Sequence, residues 1–253
     1  MNTQLTMFYI ITITYQIKNK KIMDILDRFV EILKEGNYNN RIPTVLEFGA
    51  CDAYHSECMI TRLQKLYPNF AYHLFEPEPG LHYAIHQTLG RSLSMNHGLI
   101  TFVPKAIGAA SGKMKFYKSE GILAGPNGEV LDRWYGSSSL LKPTAQISKD
   151  FKGMYFEEIE VDVITLDEYR LSLPREQQIF DFIWADIQGA EKMMIQGATT
   201  ALKNTRYFYT EYNNAIHYEG QAVGLQEILD MLPTWEVVED YGGDVLLKNT
   251  DFH

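Results

Sequence analysis

The sequence predicts an α/β protein: a doubly wound, mostly parallel sheet with helices on both faces and a closing antiparallel hairpin. Three observations carry that reading. Short apolar runs of strand character alternate with amphipathic helical stretches, the pattern of successive β–α–β units. The first run, Thr44-Val-Leu-Glu-Phe, stops at a small-residue turn, Gly49-Ala-Cys-Asp-Ala, that opens onto a helix. The last two runs, Trp235-Glu-Val-Val-Glu-Asp and Asp244-Val-Leu-Leu-Lys, flank Tyr241-Gly-Gly, a hairpin signal.

The elements follow in order. Residues 1–23 fit poorly with what comes after, although Met7–Tyr15 is apolar and β-branched. That stretch is far short of the ~20 residues a membrane span needs, and it lacks the basic flank and small-x-small site of a signal peptide. An added edge strand, a disordered extension and a start at Met23 are the readings, the last two favoured. Asp24–Lys34 places Ile25, Leu26, Phe29, Ile32 and Leu33 on one helical face. Residues 1–40 are therefore read as extension plus helix, and 41–253 as the main domain.

Ser56–Leu66 continues as helix, Phe70–Glu76 as a second strand ended by Pro77 and Pro79, and Leu81–Leu89 as helix. Ile100–Gly108 reads as a third strand, and Gly112–Lys118 alternates at period two as a fourth. Residues 119–155 are rich in Gly, Pro, Asn and Ser, and an irregular insertion of that length is often functional. Strand pattern returns at Glu158–Val163. Thr165 is the expected N-cap of the next helix, with Glu168 three residues on. Phe180–Asp186 is a buried strand, and the helix after it sets Ala190, Met193, Met194, Gly197, Ala198 and Ala201 on one face. Arg206–Glu211 and Leu225–Leu232 complete the strand–helix series.

Composition narrows the function classes. A hydrophobic share of 45% with 22% charged residues is ordinary for a globular chain. A net charge of −9 argues against a nucleic-acid-binding surface. Cys51 and Cys58 offer neither a disulfide framework nor zinc spacing, so they read as free thiols in a reducing, cytoplasmic setting.

Acids fall at the carboxyl ends of three predicted parallel strands: Glu76, Asp186 and Glu211. In a right-handed doubly wound sheet those ends share one rim. An acid after the second strand can accept both hydroxyl protons of a ribose. Yet the Gly49 turn has one glycine where a dinucleotide fingerprint needs three, and no Walker lysine follows. A pyrophosphate would want the fuller nest of backbone donors. A nucleoside without phosphates fits better, and S-adenosylmethionine matches the acid, the turn and the missing glycines.

The residues then resemble a specific family. Val45-Leu-Glu-Phe-Gly-Ala-Cys-Asp, Leu74-Phe-Glu-Pro-Glu-Pro, Lys105-Ala-Ile-Gly, Gly136-Ser-Ser-Ser-Leu-Leu-Lys-Pro and Val161-Asp-Val-Ile-Thr-Leu-Asp occur in order. Asp186-Ile-Gln-Gly-Ala-Glu191, Gln196-Gly-Ala, Thr210-Glu-Tyr and Tyr218-Glu-Gly-Gln follow. In that series the chain resembles the FkbM-type class I methyltransferases, the Asp186–Glu191 block being the most diagnostic part. The first turn departs from the family's commoner Asp-x-Gly-Ala-Asn-x-Gly, with Glu47 for Asp, Cys51 for Asn and Ala53 for Gly. Gln188 stands where many members carry Glu.

The resemblance implies a Rossmann-like seven-stranded sheet and S-adenosylmethionine-dependent O-methylation of a sugar, glycan or secondary metabolite. It places Glu47, Gly49, Ala50 and Asp52 against the methionine portion, Glu76 on the ribose, and Ala106 and Ile107 on the adenine. Asp186 would lie nearest the acceptor as first candidate base, with Glu211 and His217 behind it. Asp186 and Glu211 are alternatively oxygen ligands for a divalent ion. Trp134, Tyr135, Ser137, Ser138 and Ser139 are the expected acceptor-binding residues. The partner is thus a small-molecule or glycan acceptor, with no nucleic acid and no transmembrane segment expected. Two other readings stand beside this one: a nicotinamide-dependent oxidoreductase, and a catalytically silent binding module on the same fold.

Overall fold

The computed structural model describes residues 25–38, 41–93, 99–124, 130–133, 135–151 and 153–252. The expected N-terminal extension and Trp134 lie outside the described residues. Helix α1 covers residues 25–34, and its predicted apolar face is buried, Leu26 and Leu33 completely.

The strands of the main sheet are β1 (Thr44–Phe48), β2 (Ala71–Phe75), β3 (Leu99–Val103), β9 (Phe180–Ala185), β10 (Thr205–Glu211), β11 (Trp235–Asp240) and β12 (Asp244–Asn249). They lie in the order β11-β12-β10-β9-β1-β2-β3. β1 pairs in parallel with both β2 and β9, β2 with β3 and β9 with β10, so five strands end at one rim. β12 pairs antiparallel with β10 and with β11, which closes the sheet with the predicted hairpin. Seven strands, parallel apart from that hairpin and covered by helices, make the chain a Rossmann-like α/β fold.

Burial on both faces explains the unbroken apolar strands. β1, β2 and β9 are buried at every position, as central parallel strands must be. Val45 packs with α1, α2 (Tyr54–Leu66) and α3 (His82–Leu93). Leu46 and Phe48 pack on the opposite face with α5 (Leu166–Ser172), α6 (Glu191–Gln196) and α7 (Gly224–Met231).

Three departures from the sequence reading have local causes. The run expected to be one strand over 100–108 breaks at Pro104: β3 stays in the main sheet, and β4 (Ala106–Ile107) joins another. Proline has no N–H to give a ladder, so the break falls there. That other sheet, β4-β8-β5, pairs β5 (Gly112–Glu120) antiparallel with β8 (Tyr155–Ile164). The expected irregular insertion holds short regular pieces: β6 (Ile122–Ala124) against β7 (Val130–Arg133), then α4 (Ala145–Asp150). Helix α6 stops at Gln196, short of the face drawn out to Ala201, because Gly197 packs on the β4 end. A Cβ there would lie 2.1 Å from the Gly108 carbonyl oxygen.

The Thr165 cap is present, with the hydroxyl accepting from the Glu168 N–H at 3.1 Å. The return arm of the capping box is relayed. Ser111 Oγ accepts from the Thr165 N–H at 3.1 Å and donates to the Glu168 carboxylate.

Candidate functional site

Three loops leaving the carboxyl ends of β1, β2 and β9 build the site. The β1 loop is an alternation of left-handed residues: Gly49, Cys51 and Ala53 have φ of 82°, 55° and 63°. Gly49 is there for two reasons. Its φ favours glycine, and a Cβ would lie 2.0 Å from the Asp186 carbonyl oxygen. Asp186 in turn donates its N–H to the Phe48 carbonyl, so the ends of β1 and β9 are locked together.

The β2 loop carries Glu76, which is 5% exposed. Its Oε2 accepts from the Cys51 N–H at 2.9 Å and its Oε1 from the Glu78 N–H at 2.8 Å. Burial pushes its carboxyl up to about 8, against the pull of those two amides. Glu78 is also buried; it accepts from Ser138 Oγ at 3.3 Å and lies 3.8 Å from Lys118 Nζ.

The β9 loop is the Asp186–Glu191 block. Gln188 has φ 52°, and its side-chain amide Nε2 donates to Asp186 Oδ1 at 2.5 Å and to Glu211 Oε2 at 3.0 Å. One amide thus bridges the acids at the ends of β9 and β10. Glu191 folds back on its own loop and accepts from the Ile187 N–H at 3.4 Å. Burial raises its carboxyl to about 8.

These loops enclose a cleft of about 190 Å³ lined by Gly49, Glu76, Ala106, Ile107 and Asp186 among others, with Tyr135, Gly136 and Ser138 along one side. Of the residues expected to hold the cofactor, Gly49, Glu76, Ala106 and Ile107 line it. Glu47, Ala50 and Asp52 do not. Glu47 points to the opposite face of the sheet, where Tyr72 donates its hydroxyl to Oε2 at 2.5 Å; burial raises its carboxyl to about 7. Ala50 is buried, and its N–H donates to the Phe75 carbonyl at 3.0 Å. Asp52 Oδ1 accepts from the Tyr54 N–H at 3.0 Å, at the start of α2.

Of the expected acceptor residues, Tyr135 and Ser138 line this cleft and Ser137 lines an adjoining one. Ser139 lines neither; it bridges to Tyr117 through both backbone groups, and its hydroxyl accepts from the Leu141 N–H. His217 lines the adjoining cleft, but both ring nitrogens are engaged: Nε2 with Asp150 Oδ2 at 2.8 Å, Nδ1 with the Asn213 amide at 3.2 Å. That leaves its ring poorly placed as a base. Among the described residues no cluster of three or more His, Cys, Asp or Glu side chains is arranged to hold a metal ion.

Sequence reasoning missed Glu78, His55, Lys105 and Gln188 as cleft residues. A signal for Glu78 existed. It stands two residues beyond Glu76 between prolines, and extended backbone repeats its side every second residue.

The cleft's residues suit a phosphate-free nucleoside. A buried acid follows β2, small and apolar residues from β4 follow, and Lys105 is the one lysine among the described residues of the lining. The "2-O-methyltransferase NoeI" of Sinorhizobium fredii (strain NBRC 101917 / NGR234) is 32% identical over 213 residues, 82% of this chain and 80% of that protein. A solved methyltransferase FkbM from Methylobacillus flagellatus KT is 15% identical with a TM-score of 0.49; the match covers 82% of this chain but only 43% of that one. The N-terminal domain of human METTL16, solved in complex with SAH, is 10% identical with a TM-score of 0.44, over 92% of this chain and 70% of that one. The methyltransferase FkbM domain model matches residues 47–243, from the end of β1 to the turn of the closing hairpin, and the chain belongs to that family.

Proposed function

We propose that the protein is an S-adenosylmethionine-dependent O-methyltransferase acting on a hydroxyl of a sugar, glycan or secondary metabolite. The carrying observation is the cleft at the ends of β1, β2 and β9, with the buried Glu76 carboxyl among its lining residues, an acid suited to ribose hydroxyls. Family membership and the 2-O-methyltransferase name of the 32% identical relative support transfer to oxygen. When bound, S-adenosylmethionine supplies a methyl group on a cationic sulfur.

The protein's own part is mostly placement. Glu76 holds the ribose hydroxyls, the Gly49 turn lets the ligand approach the backbone, and Ala106 with Ile107 packs the base. Methyl transfer is an in-line displacement, so a positioned acceptor hydroxyl and exclusion of water account for most of the acceleration. Asp186 takes the proton as the acceptor oxygen attacks. Glu211, bonded to the same Gln188 amide, stands behind it.

Isothermal titration with S-adenosylmethionine tests the first part, and no binding by folded protein refutes it. Asp186→Asn is expected to keep that binding and to slow transfer by roughly 10²–10⁴-fold, the usual worth of a general base.

A further inference from the structure

A second concavity of about 90 Å³ adjoins the cofactor cleft, and Gln188 lines both. The 135–138 loop runs along the two, with Ser138 facing the first and Ser137 the second. Tyr218 fixes that loop by donating its hydroxyl to the Ser137 carbonyl at 2.6 Å. The boundary between the clefts is chemical as well as spatial. Asp186 lines the first, Glu211 lines the second, and both accept from the Gln188 amide between them.

The lining of the second cleft has a definite charge character. Glu211 brings a carboxylate, Glu191 a buried carboxyl group, Asn213 an amide, and Tyr212 and Tyr218 aromatic rings. None of the described residues lining it is a lysine or arginine. Its histidine, His217, already faces the Asp150 carboxylate. An anionic ligand would meet the Glu211 carboxylate with no described lysine or arginine in the lining to offset it. A hydroxyl-rich ring has O–H donors for the Glu211 carboxylate and C–H faces for the tyrosines.

We propose that this second cleft is the acceptor site and that it takes a polyhydroxylated ring carrying no anionic substituent. The assignment rests on the methyltransferase reading and deepens it. It puts the reacting hydroxyl at the Asp186–Gln188–Glu211 junction and the rest of the ring between Tyr212, Tyr218 and the 137 loop.

The test uses the full chain saturated with S-adenosylhomocysteine. Methyl glucoside, its 2-amino-2-deoxy analogue, methyl glucuronide and glucose 6-phosphate are titrated by saturation-transfer NMR and calorimetry. The neutral and amino rings are expected to bind saturably, and the two anionic rings at least tenfold more weakly. Glu211→Gln should narrow that gap to under threefold. Asn213→Asp, at an exposed position that carries little folding risk, should widen it. Equal binding of the anionic rings, displacement of S-adenosylhomocysteine by a sugar, or no saturable binding of any ring overturns the acceptor assignment alone. Failure of S-adenosylhomocysteine itself to bind overturns the methyltransferase reading and the assignment with it.

Discussion

Glu76→Gln is the perturbation that separates the cofactor reading from a generic cleft. In the free protein each carboxylate oxygen accepts one backbone N–H, from Cys51 at 2.9 Å and from Glu78 at 2.8 Å. A carboxamide keeps one acceptor and turns an NH₂ toward the other N–H. An unsatisfied buried donor costs about 1–3 kcal/mol of stability, so the melting point should fall. The ribose loses a charge-assisted partner, worth about 1.5–3 kcal/mol, or roughly ten- to a hundredfold in affinity. The wild type adds a second signature. A carboxyl with a pKa of about 8 is ~90% protonated at pH 7, and a ligand that needs it ionised binds more weakly by that factor. Affinity should therefore tighten by up to about tenfold from pH 7 to pH 9. The Glu76→Gln variant should stay flat over the same range after the ligand's own ionisation is subtracted. Calorimetry with S-adenosylhomocysteine at both pH values decides it. A Glu76→Gln protein that binds within twofold of wild type at pH 9 would refute the ribose assignment.

Other outcomes follow from the same geometry. Gly49→Ala adds a left-handed strain of about 1–2 kcal/mol to a Cβ lying 2.0 Å from a backbone oxygen. A loss of more than ~3 kcal/mol or of soluble protein is expected, and a melting point within 2 °C of wild type by calorimetric scan would be incompatible with this turn. Cys51→Asn places a residue tolerant of left-handed φ at 55° and should raise the melting point by about 2–4 °C per kcal/mol gained; a lower value counts against strain there. Glu47, Glu76 and Glu191 are raised by burial to about 7, 8 and 8, so their stabilising effect is complete below pH ~4.5 and lost as pH rises through 7–8. His73, lowered by burial to about 4, works the other way between pH ~6.5 and 4. The melting point should thus fall from pH 6.5 to 8.5, and a rise across that window would be the wrong sign.

What could be read from the sequence was what repeats locally. β1, β2 and β9 are continuous apolar runs because both sheet faces are covered, and such runs are visible without a partner. The acids at their ends, Glu76 and Asp186, follow from strand ends alone. The β4-β8-β5 sheet was not legible because its pairing joins Gly112 to Val163 across a long insertion, and no local pattern encodes a partner. The motif residues Gly108 and Gly197 were visible as a pair of matches. Their reason, the approach of a Cβ position to a carbonyl oxygen at 2.1 Å, is a tertiary fact. Glu47 was misplaced for a simple cause. Its side chain alternates to the face opposite Phe48, so it meets Tyr72 and not the cleft.

The departures in the first turn connect these points. Cys51 and Ala53 replace the Asn and Gly commoner in the family, and both positions take left-handed φ, where Asn and Gly are the least strained residues. The turn nevertheless keeps its shape, and the Glu76 carboxyl group is one contact that holds it, through the Cys51 N–H. The acid proposed for the ribose is thus also a clamp on the turn beside it. Cofactor binding and turn geometry should then be coupled through Glu76. Cys51→Asn, by relaxing the turn, should reduce the stability loss caused by Glu76→Gln by about 0.5–1 kcal/mol in a double-mutant cycle. Strict additivity of the two changes would show that the clamp and the strain are independent.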